Sequence, residues 1–354
     1  MTGHPQLTAA FISKCRKRLL DWFADHGNHD LPWRRTHDPY AILVSEMMLQ
    51  QTRVATVLDK GYFTRWMTRF PDFASLAAAH EPEVLRLWEG LGYYQRARNL
   101  HATARSLTAS KRSALPHEPK AMQALPGIGP YTAAAVSAFA FNHPVAVLDG
   151  NVERVLARLL NFRQPVDTAD GKAFLKAAAA QMLPPKEARH FNSALMEFGQ
   201  QVCIPRAPRC TSCPLATICR ARKLAPASLP LKTPRTPPTR IEENVLFAVK
   251  DGRILLQIET GRRRQGLWKL PPCPPEIARS QPVLLEYSYT ITRFKVNMRV
   301  FKAPDTPITI RDSAPDSTWH PLDELDALPM PAPFRRVMGH LLHKKTSPKC
   351  PSRP

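Results

Sequence analysis

Leu125-Pro126-Gly127-Ile128-Gly129-Pro130-Tyr131-Thr132-Ala133-Ala134-Ala135 is the stretch whose reading decides the fold. Two glycines one residue apart give the backbone the freedom of a tight turn, and Pro130 suits the first position of a following helix, so the pattern predicts two helices joined by a hairpin. Backbone this bare lets a ligand come close, and the unpaired N–H groups that open the second helix suit a phosphate. A plain helix-helix turn fits the same residues. The charge of the chain adds weight to the phosphate: Lys and Arg number 50 against 29 Asp and Glu, a formal +21 over 354 residues. The basic residues are spread along the whole length, a field that attracts a polyanion. Nucleic acid is favoured over a membrane surface, because the sequence holds no strongly amphipathic basic helix and no lipidation signal.

Outward from the hairpin the sequence reads as helix after helix. Phe11, Cys15, Leu19, Trp22 and Phe23 recur at three- and four-residue steps, which predicts a helix over residues 7–26, stopped by Gly27. Further helices are expected over 40–58, 81–89, 94–109, 118–124, 130–141, 151–160, 171–183 and 187–202, with no convincing strand before Pro226. The first 225 residues are therefore expected to be all-α. Beyond the last of these helices four cysteines crowd together as Cys203-x6-Cys210-x2-Cys213-x5-Cys219, while Cys15, Cys273 and Cys350 are scattered. Four thiolates so close in sequence can close a tetrahedral set around zinc or cap the irons of a cluster. A disulfide framework is the competing reading. It is disfavoured because Lys14, Arg16, Lys17 and Arg18 interrupt the first residues, so no signal peptide and a cytoplasmic location are expected. The single Cys-x2-Cys pair leans toward a cluster without deciding against zinc.

From Pro226 the composition changes. Five prolines fall between Pro226 and Thr239, with no helical or alternating period, which predicts an extended linker over 226–241. Past it the period becomes two. Runs at 245–250 and 253–258 flank Asp251-Gly252, a strong hairpin signal. Tyr287, Tyr289 and Ile291 alternate at odd positions and Phe294, Val296, Met298 and Val300 at even ones, so the phase flips across Thr292-Arg293 and a hairpin tip is expected there. An amphipathic helix over 334–343 and a disordered tail over 344–354 complete the expected C-terminal α+β unit.

Two carboxylates stand out. Glu46 sits among large apolar residues; buried, it would hold a proton near neutral pH as a general acid must, whereas on a wet face shared with Gln50 and Arg53 it would not. Asp149 precedes the start of a helix, where capping is the ordinary explanation. Together, one protonated and one ionised carboxylate make the pair that glycosidic bond cleavage uses.

The segments Leu31-Pro-Trp-Arg34, Ser45-Glu-Met-Met-Leu-Gln-Gln-Thr52, Gly90-Leu-Gly-Tyr-Tyr94, Leu125-Pro-Gly-Ile-Gly129, Leu148-Asp-Gly-Asn-Val152 and the four-cysteine run resemble, in this order, the MutY-type adenine DNA glycosylases of the helix-hairpin-helix and endonuclease III superfamily. The resemblance covers most of residues 28–222. It implies a six-helix hairpin module with a four-iron four-sulfur cluster on Cys203, Cys210, Cys213 and Cys219 over residues 1–225, and a Nudix-like domain over 242–343. It further implies a monomer that removes adenine opposite 8-oxoguanine or guanine in duplex DNA. Glu46 would then protonate the purine, Asp149 would stabilise the sugar cation, and Tyr131 and Asn151 would position the two. Arg34 and Glu197 would contact adenine. Gln50, Gln51, Tyr93, Gly127 and Gly129 would meet the DNA, and a loop bearing Arg206 and Arg209 would face its phosphates. Bifunctional relatives such as endonuclease III carry a Schiff-base lysine where this chain has Pro130-Tyr131, which implies a monofunctional enzyme; a lyase and a non-catalytic iron-sulfur DNA-binding protein are the rival readings. The C-terminal unit lacks the glutamate cluster of Nudix hydrolases. Where the family reads guanine with Phe-Ser-His, this chain has Ile291-Thr292-Arg293. The hydroxyl is kept, the imidazole becomes a guanidinium and the aromatic is lost.

Overall fold

The computed structural model describes residues 7–112, 114–234, 236–261, 263–304 and 316–343, so the expected tail at 344–354 lies outside the described residues. The helices run α1 (Ala9–His26), α2 (Pro39–Leu49), α3 (Val54–Asp59), α4 (Tyr62–Arg69), α5 (Phe73–Ala78), α6 (Glu81–Leu87) and α7 (Gln95–Ala109), then α8 (Pro119–Met122), α9 (Pro130–Phe141), α10 (Gly150–Leu159), α11 (Ala169–Met182) and α12 (Ala188–Gln201). The C-terminal half adds β1 (Thr239–Phe247), β2 (Val249–Lys250), β3 (Arg253–Ile258), β4 (Trp268–Lys269), α13 (Pro275–Ser280), β5 (Val283–Ile291), β6 (Phe294–Lys302), β7 (Ser317–Pro321) and α14 (Ala332–His343). Two compact units result, one from residues 1–56, 67–77 and 102–235 and the other from 57–66, 78–101 and 236–354.

In the first unit α1 packs against α11 and α12, and α10 against α11 and α12. Cys15, Leu19, Trp22 and Phe23 of α1, Val155 and Leu156 of α10, and Phe191 and Phe198 of α12 form one buried cluster. This is the 3.6-residue period cashed in as burial of a single face. Thr8 caps α1, its hydroxyl accepting from Phe11 N at 3.3 Å, so the helix begins two residues later than the apolar pattern alone would place it. The expected single helix over 40–58 is broken. The backbone leaves the helical region at Gln50 and passes through a left-handed Gln51, with φ 59°, before α3 begins. Apolar residues resume at Val54 and Val57 in a phase close to that of α2, which hid the break.

The proline-rich stretch is tied to the first unit at several points. Val166 N donates to Leu231 O at 3.0 Å, Arg158 Nε donates to Leu229 O at 2.9 Å, and the Asp167 carboxylate accepts from Thr233 N and Oγ1. Strand β1 then begins at Thr239, ahead of residue 241 where the composition placed the linker's end.

The second unit holds two sheets. In one, β6 lies between β1, parallel to it, and β5, antiparallel. In the other, β3 pairs antiparallel with β2, β4 and β7. Asp251 and Gly252 both take positive φ, 49° and 70°, as the tight β2–β3 turn requires. At the β5–β6 hairpin Ile291 pairs with Phe294, so Thr292 and Arg293 form a two-residue tip, Thr292 with φ 52°. The phase flip read in the sequence is this reversal: odd residues of β5 and even residues of β6 face the same side. They pack there with Val245, Ile254, Phe334 and Val337. The C-terminal region is thus α+β with mixed sheets.

Candidate active site

Helices α2, α9 and α10 bring the two carboxylates to one cleft. Glu46 lies in the third turn of α2, and every residue from Tyr40 to Met48 is buried; Glu46 itself is 6% exposed. The wet-face alternative therefore does not hold. Tyr131, in the first turn of α9, donates its hydroxyl to Glu46 Oε2 at 3.2 Å. Burial is the main cause that pushes the Glu46 carboxyl from 4.5 up to about 7; the Tyr131 hydrogen bond opposes it and the nearby Asp149 charge adds to it.

Asp149 caps α10, its Oδ1 accepting from Asn151 N at 2.9 Å and Val152 N at 2.7 Å. The capping that sequence offered as the ordinary explanation is real. Oδ2 takes one more bond, from Asn151 Nδ2 at 2.8 Å. Burial raises this carboxyl too, opposed by those three N–H donors and by the Arg154 charge. Donors that bond the ionised form hold Asp149 toward the anion, while Glu46 has one hydroxyl and a fully buried site, so the pair is driven apart in acidity.

A cleft of about 660 Å³ is lined by Glu46, Gln50, Gln51, Tyr131, Asp149, Asn151 and Arg154 among others. A second, of about 200 Å³, shares Glu46 and adds Trp33, Arg34, Glu197 and Gln201. Arg34 forms an ion pair with Glu197, whose carboxylate also accepts from Asn28 N at 2.9 Å and from Gln201 Nε2. Gln50 reaches Thr132 Oγ1 at 3.4 Å, and Gln51 is exposed at the break after α2. The glycine turn has the geometry its sequence implied. Gly127 takes φ 71°, Gly129 caps α9, and the buried Ile128 side chain pins the turn while Pro126 and Gly127 stay exposed.

Other expected residues fall outside this cleft. Tyr93 belongs to the second unit, exposed on a turn before α7, and Thr292 and Arg293 form the exposed β5–β6 tip. The four cysteines line one separate cavity with Arg158 and Arg209. Each of the six described cysteines is a free thiol. Among the described residues no group of three or more His, Cys, Asp or Glu side chains is placed to hold a single metal ion. Arg206 and Arg209 are both exposed on the loop between Cys203 and Cys210.

Sequence reading missed the residues that tie these parts together. Arg154 donates to Asn151 Oδ1 at 2.9 Å, Gly199 O at 2.7 Å and Cys203 O at 2.8 Å, joining the Asp149 cap to the first residue of the cysteine run. Arg158, 1% exposed, donates to Cys203 Sγ at 3.4 Å, Ile204 O at 2.7 Å and Pro205 O at 2.6 Å. The i, i+3 spacing of Asn151 and Arg154 was the available signal. Gly199, inside α12, leaves room for α10: a Cβ there would stand 2.8 Å from Asn151 Cβ. An isolated helix-interior glycine was its only mark in the sequence.

The profile of the HhH-GPD superfamily base excision DNA repair proteins matches residues 44–175. The chain is 43% identical over 207 residues to the adenine DNA glycosylase of Mycolicibacterium smegmatis, covering 58% of this chain and 68% of that one. It is 27% identical over 341 residues to that of Buchnera aphidicola, covering 90% and 94%. With the rat adenine DNA glycosylase it shares 40% over 223 residues, 60% of this chain and 43% of the relative, so it spans less than half of that protein's length. Among solved structures, a trapped endonuclease III–DNA covalent intermediate aligns with TM-score 0.53 and 25% identity over 62% of this chain and 98% of its own. Identity of 43% over 68% of the length of a bacterial adenine DNA glycosylase, together with the match over residues 44–175, shows that the chain belongs to the adenine DNA glycosylases of the HhH-GPD superfamily.

Proposed function

We propose that this protein is a monofunctional adenine DNA glycosylase that hydrolyses the N-glycosidic bond of adenine mispaired with 8-oxoguanine or guanine. The observation that carries the reading is the pair of buried carboxylates in one cleft, Glu46 pushed up to about 7 and Asp149 bonded by three N–H donors. A glycosidic bond inside a base stack is out of reach, so the adenine leaves the duplex for the cleft at a cost in unstacking. Glu46 gives its proton to a ring nitrogen of the purine. The C1′–N bond then breaks with its electron pair leaving on the base, which the proton has made neutral. Asp149 faces the cationic sugar and stabilises it, and water adds to C1′ with its released proton passing to the Glu46 carboxylate. Tyr131 and Asn151 hold the two carboxyl groups in place, and Arg34 with Glu197 borders the space for the base. The cations lining the cleft are Arg53 and Arg154, guanidinium groups that supply no Schiff-base amine.

Four free thiols around one cavity fit a four-iron four-sulfur cluster, in which each iron takes one thiolate and the sulfurs stand apart. Cys203, Cys210, Cys213 and Cys219 would hold it. Those four side chains, with a cluster bound, would tie down the loop that carries Arg206 and Arg209, the side chains that would meet phosphates. The glycine turn at 125–129 offers a second phosphate contact, and the Nudix-like C-terminal unit presents Thr292 and Arg293 to the base opposite adenine. Duplexes with A opposite 8-oxoguanine, guanine or thymine test the reading under single-turnover conditions with borohydride present. Adenine is expected from the first two and not the third, without a trapped adduct. Absence of release from every mispair, or an adduct, overturns it.

A further inference from the structure

The turn Gly90-Leu91-Gly92-Tyr93 in the second unit is unusually constrained. Gly90, Gly92 and Tyr93 take φ of 96°, 69° and 48°. A Cβ at Gly90 would lie 2.0 Å from the Tyr62 hydroxyl, Trp88 Nε1 donates to Gly92 O at 3.1 Å, and Arg96 donates to Leu91 O and Gly92 O at 3.0 Å each. A tyrosine in left-handed backbone is held there at a cost, and its ring, 46% exposed, is not used to fill a core. What holds the turn from outside comes from far along the chain. Glu89 and Tyr94 bracket it, and both bond to residues 330–335. Arg335 donates from Nε to Glu89 Oε1 at 2.8 Å and from one terminal nitrogen to Oε2 at 3.0 Å. The same carboxylate accepts from Met330 N at 3.2 Å, and the Tyr94 hydroxyl donates to Met330 O at 2.9 Å. The remaining Arg335 donors meet Leu325 O at 2.7 Å and Leu328 O at 2.6 Å, so the guanidinium is committed on every side. A bidentate pair in which the Glu89 side chain is 10% exposed fixes orientation as well as distance.

We propose that Arg335 is a positioning residue for Tyr93: through Glu89, with the Met330 carbonyl on Tyr94, the C-terminal segment fixes the turn so that the Tyr93 ring is presented to stack in mispaired DNA. The C-terminal unit then acts on the substrate by two routes, its hairpin tip and this clamp. The proposal rests on the glycosylase reading. Base stacking on an aromatic ring is strong enough that Tyr93→Ala should weaken mispair affinity about tenfold or more.

The test is a double-mutant cycle on Kd for a duplex with an uncleavable adenine analogue opposite 8-oxoguanine, using the full chain. Arg335→Met is expected to raise Kd nearly as much as Tyr93→Ala, and the double variant to bind no more weakly than Tyr93→Ala alone. Tyr94→Phe, which removes only the hydroxyl, should raise Kd less, and again not at all in the Tyr93→Ala background; it decides the matter if Arg335→Met does not fold. Losses that multiply in the double variants, or an unchanged Kd in the single ones, overturn the clamp. Failure of the wild-type protein to prefer the mispair over a matched duplex overturns the glycosylase reading instead.

Discussion

Glu46→Gln separates the energetic claim about the acid from the chemical one. In the unfolded chain the Glu46 carboxyl titrates near 4.5, and in the folded protein burial carries it to about 7. A raised folded value means that the stability contributed by the protonated group is fully present below 4.5 and is lost as pH rises through about 7. At about 1.4 kcal/mol for each pH unit between those values, the ionised carboxylate costs the fold about 3 kcal/mol at pH 8. Glutamine has nearly the same shape, can still accept the Tyr131 hydroxyl and never ionises. Urea denaturation of the two proteins from pH 4 to pH 8 should therefore show the variant gaining about 3 kcal/mol on wild type across that range. Single-turnover adenine release should move the opposite way. Wild-type activity falls as pH rises above about 7, and the variant is slower by a factor of about 10² below pH 7, the usual worth of a positioned acid, with the gap narrowing as Glu46 ionises at higher pH. A stability difference that stays flat with pH would show that Glu46 ionises normally, and wild-type release rates in the variant would remove it as the acid.

Gly199→Ala drives a methyl into Asn151, 2.8 Å from its Cβ, so thermal melting should show a loss of about 1–3 kcal/mol and adenine release should slow with mispair affinity retained; an unchanged release rate would mean that Asn151 does not hold Asp149 in its working position. Cys213→Ser should lower iron per chain by metal analysis and bleach the visible absorbance of a cluster; undiminished iron would remove this thiol from the ligand set. Arg293→His should raise the ratio of adenine release opposite 8-oxoguanine to that opposite guanine, measured at fixed salt, because an imidazole nitrogen can accept from the N7–H that oxidation creates and a guanidinium can only donate. An unmoved ratio would show that the tip does not read that edge.

The parts of the site written in contiguous residues were legible. The glycine turn announces itself because only glycine takes positive φ freely and proline suits a helix start, so 125–130 dictates its own shape. The β5–β6 tip was visible because side-chain alternation has period two and reverses only where the strand does. The break at Gln50–Arg53 was not, because apolar spacing continues across it and the polar residues that turn the chain into the cleft read equally well as a helix surface. Short helices α4 and α5 escaped for a related reason: six to eight residues hold too few turns to establish a period.

Residue type alone determined which groups are present: two carboxylates, four clustered thiols, a bare glycine turn and a large excess of positive charge. Tertiary structure decided what they are. Whether Glu46 is a wet acid or one titrating near 7 depends on how far packing around α2 excludes water, and desolvation belongs to the surroundings of a group, not to its sequence neighbours. Asp149 acquired its partners because Arg154 and Gly199, on two packed helices, hold Asn151 against it. Glu89 and Arg335 lie 246 positions apart and meet in a bidentate pair that no local pattern encodes.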